Sequence, residues 1–191
     1  SYDPETGMVY LSATNASPSP LGLVPPQAGQ SDMRWVRGFA AGAPRGLSVQ
    51  GLPLLKPPYG TITAIDLKRG AIAWQVPHGE TPDAVRNHEA LKGLSLPRTG
   101  QPGSVGTLVT KTLVIAGDPE VTTLAPRGRG AMLRAYDKAT GKEVGAVLMP
   151  APQSGSPMTY LLNGRQYLVV AVSGGPYSGE YIAYRLPVER R

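Results

Sequence analysis

Cysteine is absent from all 191 residues. Disulfides, thiolate metal sites and a cysteine nucleophile are therefore excluded. Aromatic residues make up only 6%, with a single Phe, and histidine occurs twice. No apolar run approaches the ~20 residues that cross a bilayer as a helix. His78 and His88 fall in a predicted surface loop, without i, i+4 spacing or a carboxylate cluster, so they make no metal site. Ser154 and Ser156 in QSGSPM lack the G-x-S-x-G pattern and the strand-to-helix context of a nucleophile elbow. The residues alone offer no catalytic constellation and no metal ligand set.

Charge is present but unfocused. Lys and Arg number 19 against 13 acidic residues, a net +6. The cations are scattered in pairs such as Arg34 and Arg37, Lys68 and Arg69, and Arg127 and Arg129. A single-strand binder interleaves clustered cations with stacking aromatics, and no stretch here does so. A solvated basic surface is expected, with no nucleic-acid partner.

Glycine and proline are plentiful, at 24 and 20 residues. They punctuate short β-branched and aliphatic runs without forming a simple repeat, which is what many short strands and turns require. The fold class read from this pattern is all-β. Three segments share an Asp-x-x-x-Gly turn followed by a strand-like run: Asp3 to Gly7, Asp66 to Gly70 and Asp137 to Gly141. The last two align further, with Ala64, Asp66, Gly70 and Trp74 matching Ala135, Asp137, Gly141 and Gly145 at one offset. Self-similarity at wide spacing signals repeat architecture. In each unit an alternating strand enters a turn where Asp bonds its own backbone and Gly supplies positive φ. Such a hairpin cannot bury its apolar face alone and must stack on its neighbours. Trp74 is placed to cover an adjacent blade.

Further strands are predicted over 108–116, 166–172 and 181–186, with Asn163-Gly164 turning a hairpin. At about 40–45 residues per blade, the chain holds about three to four blades of a propeller. Two long stretches, 16–58 and 77–104, read as irregular surface connections. A short helix is expected over 83–91 with Asp83 as its N-cap.

The stretches SYDPETGMVYLSATN, PYGTITAIDLKRGAIAWQ, AMLRAYDKATGKEV and PAPQSGSPMTYLLNGRQYLVVAVSGG resemble the last blades of quinoprotein dehydrogenases, on the glucose dehydrogenase side of that family. GSPMTYLLNGRQYLVV is the most specific, because the family closes its propeller with a P-M-T-Y hairpin and a strand after Asn-Gly. The A-x-D-x-x-x-G repeat is shared with noncatalytic propellers.

The resemblance implies a partial eight-bladed propeller, with residues 1–191 as its C-terminal blades and long loop insertions. It implies pyrroloquinoline quinone (PQQ) and calcium near the axis of the parent enzyme, neither of them held by this chain alone. The catalytic Asp and the calcium ligands of the family lie upstream, so no catalytic or metal-binding residue is assigned here. Asn15 resembles an Asn that hydrogen-bonds the quinone, and equally reads as a turn residue ending a strand. Gly103 and Ser104 fall where family members bring a loop towards the cofactor, although the Trp of methanol dehydrogenases is missing there. The implied activity is oxidation of a glucose-like sugar or an alcohol in the periplasm, with electrons passed to ubiquinone or a cytochrome. The competing reading is a noncatalytic propeller scaffold of the outer-membrane assembly type. The start in mid-hairpin and the blade count lead us to expect an incomplete chain. Its partners are then the missing N-terminal blades, or a second copy paired through open strand edges.

Overall fold

The computed structural model describes residues 1–16, 21–39, 42 and 47–185. Strands β1 (Tyr2–Asp3) and β2 (Met8–Thr14) form the opening hairpin. The connection that follows is a compact unit of its own, Ala16–Lys56, rather than a featureless loop. It holds two small antiparallel ribbons, β3 (Gly22–Val24) with β4 (Val36–Gly38), and β5 (Ser48–Val49) with β6 (Leu52–Pro53). Its short strands carry the β-branched Val24 and Val36 in direct register, a local signal too brief to stand out among the prolines.

The second unit comprises Ser1–Asn15 and Pro57–Arg191. Strand β7 (Gly60–Asp66) pairs with β2, and β8 (Ala71–Pro77) pairs with β7, giving an antiparallel sheet in the order β1-β2-β7-β8. Beyond a one-turn helix α1 (Asp83–Arg86), five strands build the second sheet. They are β9 (Leu108–Val109), β10 (Leu113–Gly117), β11 (Thr122–Leu124), β12 (Gly128–Asp137) and β13 (Glu143–Met149). The predicted strand over 108–116 is broken, because Thr110 N–H bonds the Leu113 carbonyl (2.8 Å) and folds β9 back onto β10. The third sheet runs β14 (Met158–Leu162), β15 (Arg165–Gly174), β16 (Tyr177–Arg185). Of the predicted closing strand, Leu186 lies outside the described residues.

The turns obey the chemistry read from the sequence. Asp3 accepts from Glu5 N–H, Asp66 from Lys68 and Arg69 N–H, and Asp137 from Ala139 and Thr140 N–H, at 2.9–3.1 Å. Gly7, Gly70 and Gly141 then take φ of 77°, 64° and 74°, which a side chain resists. Asn163-Gly164 joins β14 to β15 with φ of 51° and 73°, the two left-handed residues of a type I′ turn.

The core lies between sheets. Tyr10, Ile62, Ala64, Val114, Ala116 and Tyr136 join the first sheet to the second. Ile115, Leu133, Met149, Val170 and Val172 join the second to the third. Trp74 covers the neighbouring blade as expected: its Nε1–H donates to the Lys138 carbonyl at 3.0 Å, and its ring stands 5.8 Å from that of Tyr10. Strand β7 departs from simple alternation, since Thr61 and Thr63 are buried as well as Ile62 and Ala64. The threonine hydroxyls lie 3.4 Å apart, and Gln75 donates to Thr63 at 2.8 Å. The described residues are almost all strand and loop, and the second unit is a partial propeller of three stacked sheets among them.

Candidate functional site

Strand β2 ends at Thr14, and the segment 99–103 crosses the strand ends of the first sheet. Tyr59 N–H bonds the Thr99 carbonyl (2.8 Å), and Gln101 N–H bonds that of His78 (2.8 Å). Backbone meets backbone so closely that a Cβ on Gly60 would stand 1.8 Å from the Gln101 carbonyl oxygen. Only glycine allows that crossing.

The Thr14 hydroxyl then closes a two-way clamp. It donates to the Gly103 carbonyl (2.8 Å) and accepts from Gly103 N–H (3.0 Å). Gly103, at φ 139°, rests on Pro119, where a Cβ would approach within 2.5 Å. Asn15 is exposed, and its N–H is held by the Tyr59 carbonyl at 2.8 Å. The structure therefore brings Asn15, Gly103 and the exposed Ser104 to one rim at the end of β2. The pairing of Thr14 with Gly103 was not legible in the sequence, since 89 residues separate the partners.

Behind the rim lies a buried polar network that sequence reasoning missed. His78 is not a surface loop histidine but is 1% exposed. Its Nε2 lies 2.9 Å from the Gly117 carbonyl, which can only accept, so Nε2 carries the proton. Nδ1 then accepts from the Tyr136 hydroxyl at 2.8 Å. Burial pushes the His78 pKa down and the Tyr136 pKa up. Both ring nitrogens are thus used in the fold.

Arg134 is almost fully buried and bonds Asp118, itself 0% exposed, through Nε (2.6 Å) and Nη2 (3.0 Å). Its other contacts are Glu80 (3.0 Å) and Glu143 (3.2 Å), and Arg98 also reaches Glu143 at 2.7 Å. Burial alone would lower the Arg134 pKa, but the hydrogen bonds and charge of Asp118, with the charge of Glu143, raise it overall. Gln153 ties the sheets together by accepting from Gly117 N–H (2.6 Å) and donating to the Gly106 carbonyl (2.8 Å).

The expected N-cap is also corrected. Pro82 precedes α1, and the Asp83 side chain makes no cap bond. That carboxylate instead holds Thr123 N–H (3.1 Å) and Arg129 (2.9 Å). It is a tie between the 77–104 connection and the next blade, and that connection is partly core: Thr81, Val85, Thr99 and Gln101 are all buried.

A calcium ion takes six to eight oxygen ligands. Among the described residues no three His, Asp or Glu side chains gather to hold such an ion. At the end of β2, Asn15 and Ser104 are exposed, an amide and a hydroxyl of the kind that hydrogen-bond oxygen acceptors.

Sheets stacked face to face and locked by a tryptophan at a repeated A-x-D-x-x-x-G hairpin define a segment of a β-propeller. Residues 1–168 match the family model described as "PQQ: Glucose/ethanol/alcohol dehydrogenase, beta-propeller domain". The chain belongs to this family of PQQ-dependent dehydrogenases. It is 39% identical over 161 residues to a probable quinate dehydrogenase (quinone) of Xanthomonas campestris pv. juglandis, covering 78% of this chain and 18% of that protein. It is 30% identical over 217 residues to the glycerol dehydrogenase large subunit of Gluconobacter thailandicus, covering 98% and 28%. Among solved structures, the quinohemoprotein alcohol dehydrogenase of Comamonas testosteroni superposes with a TM-score of 0.56 at 27% identity, covering 90% of this chain and 21% of that one. The chain thus spans about a fifth to a quarter of the proteins it matches. The scaffold reading is not favoured, since the matches are dehydrogenases.

Proposed function

We propose that these blades form one wall of the quinone site in an enzyme that oxidises a CH–OH group of a polyol, sugar or simple alcohol. The observation that carries this reading is the Thr14–Gly103 clamp, which holds Asn15 and Ser104 together on one rim. Bound PQQ supplies the two-electron oxidising chemistry. The residues of this chain bind and orient it. The Asn15 amide and the Ser104 hydroxyl donate to its oxygens, and Thr14 fixes the loop that carries Ser104. The names of the relatives, quinate and glycerol dehydrogenases, support a polyhydroxylated substrate, and one of those names specifies a quinone as electron acceptor.

In the enzyme that carries these blades, Asn15→Ala should weaken PQQ binding about tenfold, the cost of one lost hydrogen bond at a polar site. Reconstitution of the apoenzyme with PQQ measures this, with an unchanged circular dichroism spectrum of the variant as the control on its fold. An unchanged PQQ affinity in Asn15→Ala would falsify the assignment. The base and the calcium ligands are proposed to lie on other blades, so the 191-residue chain alone should not turn over substrate. Dye reduction by this chain with PQQ, calcium and glucose or ethanol would overturn that part.

A further inference from the structure

Of the four positions that align the two repeats, three carry the same residue and the fourth has Trp74 in one and Gly145 in the other. Ala64 pairs with Trp74 across β7 and β8, and Ala135 pairs with Gly145 across β12 and β13, each followed by a bulge at the same step. Trp74 fills the space between the first and second sheets, with its ring against Gly141, where a Cβ would stand 2.6 Å from it. Gly145 occupies the equivalent point between the second and third sheets, and a Cβ built there meets nothing within 4 Å. The space left is a cleft of about 590 Å³. Leu113, Ile115 and Leu133 wall it on one side, and Leu168 and Tyr184 on the other. Exposed Lys111 and Arg185 also line it, adding hydrogen-bond donors. An apolar cavity of about 150 Å³ is already enough to take up benzene.

We propose that this cleft binds the flat, uncharged ring of a benzoquinone. The apolar walls take the ring in the place that the preceding repeat gives to an indole, and Lys111 and Arg185 donate to its carbonyl oxygens. This deepens the functional reading above and rests on it, because one relative is named for a quinone acceptor.

The test is calorimetric titration of the 191-residue chain with tail-less 2,3-dimethoxy-5-methyl-1,4-benzoquinone at neutral pH, without PQQ. The chain has no cysteine to consume the probe. Saturable binding is expected, weakened at least tenfold in Gly145→Trp with an unchanged circular dichroism spectrum. The exposed double variant Lys111→Glu with Arg185→Glu should weaken it at least fivefold, and decides the matter if Gly145→Trp does not fold. No saturable binding by the unaltered chain overturns the proposal, as does equal binding by the variants that fold. The measurement needs no PQQ, so its failure is separate from a failure of the Asn15 assignment.

Discussion

His78 makes two hydrogen bonds in the fold as a neutral ring, and its pKa is depressed because burial disfavours the imidazolium. The unfolded chain binds that proton more readily. Stability from this residue is therefore fully present above the unfolded pKa of about 6.5 and is lost as pH falls through it towards the folded value. The urea midpoint should drop between pH 7.5 and 5.5, and the drop should be smaller in His78→Gln. The carboxylates act lower: Lys138 and Thr6 hold Asp3 at about 2, so its contribution disappears only in strong acid. Arg134 sets the largest single cost. Arg134→Met leaves the buried Asp118 carboxylate without its countercharge, held only by Met132 N–H, and should destabilise by about 3–5 kcal/mol in denaturant unfolding. None of this was legible in the sequence. His78, Asp118 and Arg134 are brought together by sheet stacking, and residues 16–56 apart along the chain carry no local pattern for it.

At the scale of elements, the hairpins were legible and the connections were not. A turn built by Asp and Gly is a local event, so the three Asp-x-x-x-Gly turns and Asn163-Gly164 could be read from five-residue windows. Gly164→Ala, at φ 73°, should cost about 1 kcal/mol, seen as a lowered Tm. Trp74 was also legible, because it stands near the end of the strand that leaves the Asp66 turn. Trp74→Phe keeps much of the packing but loses the bond to the Lys138 carbonyl, for about 1 kcal/mol. Trp74→Ala should cost about 3 kcal/mol, since part of the indole is already exposed. The 77–104 connection misled because its Pro, Gly and charged residues look solvated. In the fold it is pinned by Asp83 to Thr123 and by Arg98 to Glu143, contacts set by the neighbouring blade.

For the whole molecule, the propeller class and the dehydrogenase family could be read from the repeats and the P-M-T-Y hairpin, and the family match over residues 1–168 agrees. Asn15, Gly103 and Ser104, the residues proposed for the quinone, were singled out in the sequence, but the Thr14 hydroxyl that ties Gly103 to the end of β2 is visible only in three dimensions. The most direct measurement is a crystal structure of the PQQ-loaded enzyme that carries these blades. The Asn15 amide nitrogen should lie within about 3.2 Å of a quinone oxygen, with the Thr14–Gly103 clamp intact. A quinone bound on another surface, out of reach of both Asn15 and Ser104, would contradict it.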